Sequence, residues 1–297
     1  MEKIKLLVIN PHPDDEAFFF GGTISKYASE GFQVYVLTLT NGEKGKLKNS
    51  YLTSENINNE NKENFLGNLR KKELINSLVT LGVPKDNLFF ANISNLAVDQ
   101  HAISKIMETV RFLDPHVVIS FNEAGTSRFT NQDHSWSAIA TYYALITIIR
   151  ELKDFRRYLT YVVPKIEDFF DEFNEIHIEE KYFTNVDVYQ QIKSKKSACR
   201  KHKSQDHLLD YFTSVGFLDV QQETYLERLN LCKETSQGKD SIFFGINGKE
   251  TNKKIPIENY VKFPIPMKKN SYNSSSSVDI YKEILSRSKI AEKYIED

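Results

Sequence analysis

The chain has 297 residues, with 39 Lys+Arg set against 40 Asp+Glu and a formal net charge of −1. It is 40% hydrophobic and 12% aromatic, enough apolar material for one large domain or two modest ones and too much for a disordered chain. The charge balance excludes a generally basic nucleic-acid binder, and two cysteines, Cys199 and Cys232, exclude a disulfide framework or a four-thiolate zinc site, so that any metal must be held mainly by His and carboxylate.

No stretch approaches the length of a membrane span. The opening residues Met1 to Asn10 carry only a short apolar run, too short for a signal-peptide core, so a cytoplasmic protein is expected. That run, 4–9, reads as a buried strand. Further strand-like runs follow at 33–40, 87–93 and 116–121, rich in Val, Ile, Leu and Phe. Helix-period segments lie between them at 22–30, 69–81 and 102–113. In the last, Ile103, Ile106, Met107, Val110 and Leu113 fall on one face. Gly31, Gly82 and Asp114-Pro115 stand where these helices should stop. A further helix is predicted from Asp133 to about Arg150.

Strands alternating with helices at this spacing predict an α/β, Rossmann-like fold, its mostly parallel sheet covered by helices on both faces. The polar segment 45–64 reads as a long loop after the second strand, near the crevice where open α/β sheets bind ligands. Later strands are predicted at 158–163 and 175–178, and a basic helix from Val188 to about Leu209. The stretch 270–277 is linker-like, and 278–295 reads as a terminal helix.

The chemistry is concentrated just after the first strand, in Pro11-His12-Pro13-Asp14-Asp15-Glu16. Four ionisable groups are thereby placed at the carboxyl edge of the sheet. His12 and Asp15, three residues apart, can converge on one cation if the chain turns into a helix there. Asp14 must then point elsewhere, free to activate water. The competing reading is plain helix capping by Asp14 or Asp15, which explains neither His12 nor the second carboxylate. A third ligand should come from a similar edge. After the strand ending at Phe121, His134 opens a helix beside Asp133, a residue suited to orienting a ligand or a catalytic group. Two His and one Asp with an open fourth position describe a catalytic zinc site, although another divalent metal would also fit.

On these residues the chain resembles the PIG-L/LmbE-like deacetylases, zinc-dependent enzymes that remove N-acetyl groups from amino sugars. Their His-Pro-Asp-Asp-Glu element stands unchanged from His12 to Glu16. A second element, usually His-Pro-Asp-His, takes the form Asn131-Gln132-Asp133-His134. Weaker likenesses are Leu39 to Gly45 after the second strand, Arg70-Lys71-Lys72-Glu73 ahead of Leu81-Gly82, and Lys195 or Lys196 with Ala198, His202, Ser204 and Gln205. The resemblance implies zinc on His12, Asp15 and His134, with Asp14 as general base. Asp133 and Asn131 complete the expected catalytic set, and Arg70, Glu43 and Arg128 are the expected substrate contacts. The products would be acetate and a free amine from an amino sugar or its conjugate, nucleotide-linked sugars included.

The sequence departs from the family at Asn131, where many members carry a His, and at Phe129, where some carry a Tyr. An amide can donate to an oxyanion but cannot carry a proton. Either Asp14 then serves as both base and acid, or another residue substitutes, or activity is low; the first is the preferred reading. The alternatives are an amidase acting on another acylated sugar or thiol conjugate, and a catalytically weak sugar-binding homologue. The run Lys193, Lys195, Lys196, Arg200, Lys201, His202 and Lys203 reads as a solvated helix face, or else as a binder of substrate phosphates. A deacetylase domain is expected over 1–210. The extension 211–297 is expected to pack on it as a cap or as a homo-oligomer contact. The expected partner is a small N-acetylated sugar, with no nucleic acid and no membrane span.

Overall fold

The computed structural model describes residues 3–46, 61–93, 100–122, 132–162, 183–232, 241–244 and 246. Asn131, Arg128, Phe129 and the ranges 47–60, 175–178, 270–277 and 278–295 lie outside the described residues, and so do the expectations attached to them.

Among the described residues, seven strands form one sheet. They are β1 (Lys5–Asn10), β2 (Gln33–Thr40), β3 (Leu88–Ile93), β4 (Val117–Ser120), β5 (Arg157–Val162), β6 (Phe183–Asp187) and β7 (Gln222–Asn230), in the order β3-β2-β1-β4-β5-β7-β6. The first five run parallel to one another, with Val8 at the centre paired to Val36 on one side and Ile119 on the other. β7 runs antiparallel to both β5 and β6. The α-helices among the described residues are α1 (Asp15–Phe18), α2 (Gly21–Ser29), α3 (Lys62–Thr80), α4 (Gln100–Leu113), α5 (Gln132–Ile148), α6 (Ile192–Cys199) and α7 (Asp206–Ser214). None of them is long and apolar enough to cross a membrane.

Strand alternation sends β1 side chains to opposite faces, and two cores result. Leu6 and Val8 pack with Phe18 of α1, Phe20 just before α2, Ile24 of α2, and Leu74 and Leu78 of α3. Leu7 and Ile9 pack with Ile106 and Val110 of α4 and Leu145 of α5. Both faces of the sheet are therefore covered, as the near-continuous apolar strands require. Ala102, Ile106, Val110 and Leu113 form the buried face of α4. The glycines predicted to end helices do so at positive φ, 87° at Gly31 and 88° at Gly82.

Four features differ from the sequence expectations. The helix expected at 69–81 begins at Lys62, inside the end of the stretch 45–64 expected as a loop. The helix expected at 22–30 is preceded by a separate turn, α1, which begins at Asp15. The helix expected from 188 to 209 is broken at His202, which has φ −82° and ψ 64° because its ring turns inward to Glu16. Strands β6 and β7 were not predicted. Residue 210 falls inside α7, and β7, beyond it, lies between β5 and β6. Arg157 of β5 fastens that region: it donates to Glu227 Oε2 of β7 at 2.7 Å, to Thr184 Oγ1 of β6 at 3.0 Å and to the Ile242 carbonyl at 2.7 Å.

Candidate metal centre

The parallel order puts the ends of β1 and β4 side by side, and the chain leaves both toward the same edge. From β1 it passes through Pro11, His12, Pro13 and Asp14 into α1. From Phe121, just past β4, it returns at α5 carrying Asp133 and His134 in the first turn. His12, Asp15 and His134 converge there, each offering a ligand atom within 4.8 Å of the others. All three are buried. His12 Nδ1 lies 3.2 Å from Asp15 Oδ2, and His134 Nε2 lies 3.2 Å from Asp15 Oδ1.

The Asp15 carboxylate thus bridges the two rings, one oxygen to each, and three ligand atoms this close can turn to a shared ion. The proton chemistry points the same way. Burial disfavours a charged His12, yet the Asp133 and Asp15 carboxylates outweigh it and raise the imidazole to about 9. Burial likewise works to raise Asp15, but the facing His134 and His12 rings hold its carboxyl well below the ordinary range. Two buried carboxylates concentrated around imidazoles make a pocket of negative potential that a divalent cation would neutralise.

Asp133 does not join the cluster of three; its Oδ2 accepts from His12 Nε2 at 3.1 Å. A carboxylate behind a ligating imidazole fixes which nitrogen faces the metal. The His134 ring is held by aromatics that sequence reasoning did not single out. Phe121 stacks on it at 4.2 Å with 6° between planes, and Phe19 meets it edge-on at 5.8 Å.

Asp14 is buried beside the cluster, and its Oδ2 accepts from Arg70 Nη2 at 2.9 Å. Burial raises the Asp14 carboxyl to about 6, with Arg70 pulling in the opposite direction. It makes no side-chain cap to α1, so capping does not account for it. Arg70, expected to touch substrate, is itself buried and also donates to the carbonyls of Pro13 (2.7 Å) and Gly42 (3.0 Å). Gly42 needs to be glycine: its φ is 63°, and a Cβ there would lie 2.2 Å from Arg70 Nη1. Glu43 is half-buried in the same turn, packed against Gly67 of α3.

Of the basic run, Lys195 is fully buried against Glu223 at 2.8 Å and Lys196 pairs with Asp219. Lys193, Arg200, Lys201 and Lys203 are exposed. His202 is buried, with Nε2 2.7 Å from Glu16 Oε1. Burial lowers that imidazole, but Glu16 prevails and holds it above its ordinary value.

The chain is also similar to known proteins in sequence and in fold. Residues 7–145 match the PIG-L family model, described as GlcNAc-PI de-N-acetylase. A probable N-acetylglucosaminyl-phosphatidylinositol de-N-acetylase from Dictyostelium discoideum is 31% identical over 136 residues, 43% of this chain and 45% of that protein. A 1D-myo-inositol 2-acetamido-2-deoxy-alpha-D-glucopyranoside deacetylase from Thermobispora bispora is 29% identical over 159 residues, 45% of this chain and 51% of that one. A mycothiol S-conjugate amidase from Streptomyces coelicolor is 29% identical over 150 residues, 45% and 48% of the two chains. The chain thus spans about half the length of the curated relatives it matches.

Among solved structures, the N,N'-diacetylchitobiose deacetylase of Pyrococcus horikoshii shares the fold with a TM-score of 0.57 at 18% identity, covering 75% of this chain and 83% of that one. GalB, a 4-carboxy-2-hydroxymuconate hydratase from Pseudomonas putida KT2440, shares it with a TM-score of 0.59 at 19% identity, covering 78% and 98%. A deacetylase and a hydratase on one architecture mean that the fold alone does not name the reaction. Residues 7–145 thus match the model of the PIG-L family, the same family that the opening motif, unchanged from His12 to Glu16, resembles.

Proposed function

We propose that the chain is a metal-dependent N-deacetylase, with His12, Asp15 and His134 holding Zn2+ and an N-acetylated amino sugar or its conjugate as substrate. The observation that carries this reading is the buried His-Asp-His set beside a second carboxylate, Asp14, that neither caps a helix nor belongs to the set of three. Bound there, Zn2+ would act as a Lewis acid toward an amide carbonyl and make a neighbouring water more acidic. Asp133 orients His12 through its Nε2. Asp14, raised to about 6 by burial, takes a proton from the attacking water and returns it to the departing amine, which keeps both transfers near neutral pH. Arg70 holds Asp14 on one side so that the carboxylate does not swing away. Asn131 donates to the developing oxyanion, while Glu43 and Arg128 contact the sugar.

The Dictyostelium and Thermobispora relatives act on N-acetylated glucosamine conjugates by their names, which supports acetate as the released acid. The Streptomyces relative favours a second reading, an amidase acting on a thiol conjugate. The test is a panel of N-acetylated sugars, sugar-lipids, nucleotide sugars and thiol-sugar conjugates incubated with zinc-loaded protein. Free acetate with a stoichiometric new amine is expected, and both should vanish on chelation. Release of a larger acid alone selects the amidase, and turnover of no amide overturns the hydrolase.

A further inference from the structure

We propose that Glu16 is a positioning residue for Asp14: its buried carboxylate holds the Asp14 backbone in a left-handed conformation that keeps the Asp14 side chain out of helix capping, and Ser77 and His202 hold Glu16 in turn. The functional consequence rests on the reading of Asp14 as the proton-transfer group.

Asp14 occupies the N-cap of α1. An Asp in that place ordinarily has extended backbone and gives its carboxylate to the first amides of the helix. Here its φ is 138° and its ψ −32°, and no side-chain cap bond is made. Only its carbonyl serves the helix, accepting from Ala17 N at 3.0 Å and Phe18 N at 3.1 Å. Such a conformation is costly for a residue with a Cβ and persists only where its surroundings over-determine it.

The surroundings do so from both ends of the residue. The Asp14 N–H donates to Glu16 Oε2 at 2.9 Å. The Pro13 carbonyl and Asp14 Oδ2 both accept from Arg70 Nη2, at 2.7 and 2.9 Å. Glu16 itself sits on a four-residue helix, too short to fix a side chain without outside help. That help comes from two distant parts of the chain. Its Oε1 accepts from Ser77 Oγ of α3 at 2.6 Å and lies 2.7 Å from His202 Nε2. Glu16 is fully buried, as is Ser77, and His202 is 1% exposed. One turn before Ser77, Glu73 takes Ser204 N at 2.8 Å and Ser204 Oγ at 2.6 Å, which pins the turn that carries His202. Charge-assisted bonds this short in a dry interior are both strong and directional. The whole assembly ends on one amide, that of Asp14.

Glu16→Gln tests this, because the shape is kept while one end of the side chain becomes a donor facing donors. With one metal per chain retained and KM within about 2-fold, kcat should fall about 10–100-fold, the size expected when a reacting group is displaced by up to about 1 Å. His202→Gln, which keeps an N–H, should retain more turnover than His202→Leu. A purely structural role would instead lower metal content and affinity together. A second arm needs no activity. Glycine tolerates positive φ, so Asp14→Gly should melt above Asp14→Ala by about 2–6 °C. In the Glu16→Gln background, where the backbone is released, that gap should close. If Glu16 does not hold Asp14, the gap persists in both backgrounds, and the proposal is overturned; full kcat in Glu16→Gln also overturns it. If Glu16→Gln does not fold, Ser77→Ala and His202→Leu replace it in both arms with the same expected directions. A wild-type protein that hydrolyses no amide defeats the deacetylase reading and leaves the melting comparison to decide the role of Glu16.

Discussion

Lys195→Met isolates a buried ion pair on which the packing of the late strands depends. Lys195 and Glu223 are both fully buried, with Nζ 2.8 Å from Oε1. The Glu223 carboxylate does more than meet the lysine. Its Oε1 accepts from Gly22 N at 2.9 Å and its Oε2 from Thr23 N at 2.8 Å, so it caps the N-terminus of α2 from β7. Gly22 leaves room for this, since a Cβ there would lie 2.8 Å from Oε1. Removing the ammonium leaves an uncompensated charge in the interior, worth about 3–5 kcal/mol. At about 2–4 °C per kcal/mol for a domain of this size, Tm should fall by about 6–20 °C. Glu223→Gln should cost a similar amount, by stranding the lysine. The pair Lys195→Met with Glu223→Gln should melt closer to wild type than either single change, because no charge is stranded and the amide oxygen still accepts from α2. Circular dichroism melts at pH 7 and a double-mutant cycle measure all three. A drop under about 2 °C for Lys195→Met would mean that no desolvated charge is at stake in this pair.

At the candidate metal centre, the proposed function predicts that Asp14→Asn keeps metal and fold while losing most turnover, whereas His12→Ala and His134→Ala lose the metal, as read by metal analysis after dialysis. Asp133→Ala should bind metal about 10–100-fold more weakly by competition with a chromogenic chelator, because His12 loses its orienting carboxylate. Burial pushes the Cys199 thiol from its ordinary value of 9.0 up to about 12. Iodoacetamide at pH 8 should therefore label half-buried Cys232 and spare Cys199 until the protein is denatured. The sign for stability follows: the folded state keeps the Cys199 proton, so this contribution is complete below about pH 8.5 and is lost as pH rises toward 12. Denaturant midpoints taken from pH 8 to 11 check it.

The parallel half of the sheet was legible because its strands are apolar runs buried on both faces and its helices show a clean periodic stripe, as in α4. The convergence of His12, Asp15 and His134 was legible because His12 and Asp15 sit together in sequence and His134 opens a helix after a second strand. What stayed hidden depends on partners far along the chain. Strand β7 reads Gln-Glu-Thr-Tyr-Leu-Glu-Arg-Leu-Asn, too charged to look like an interior strand. Its buried Glu223 and Glu227 are tolerated because Lys195 and Arg157 reach them from elsewhere. His202 was ambiguous for the same reason, since Glu16 lies 186 positions away. The basic run looked uniform, yet Lys195 points inward and Lys193 outward. Local periodicity carries no information about such pairings.

The place of β7 between β5 and β6 also sets a schedule for folding. Residues 222–230 must be present before the edge of β5 is covered, and the cap on α2 closes across 201 positions of sequence. On a ribosome His12, Asp15, His134 and the parallel strands emerge well before that. A nascent chain stalled at about residue 200 would expose an unpaired strand edge and leave the Lys195 ammonium without its counterion. Long-range closure of this kind is slow, because the loop entropy is lost before any contact is gained. The turn from Pro11 to Asp14 would therefore acquire its final rigidity late in synthesis, when the strand that caps α2 enters the sheet.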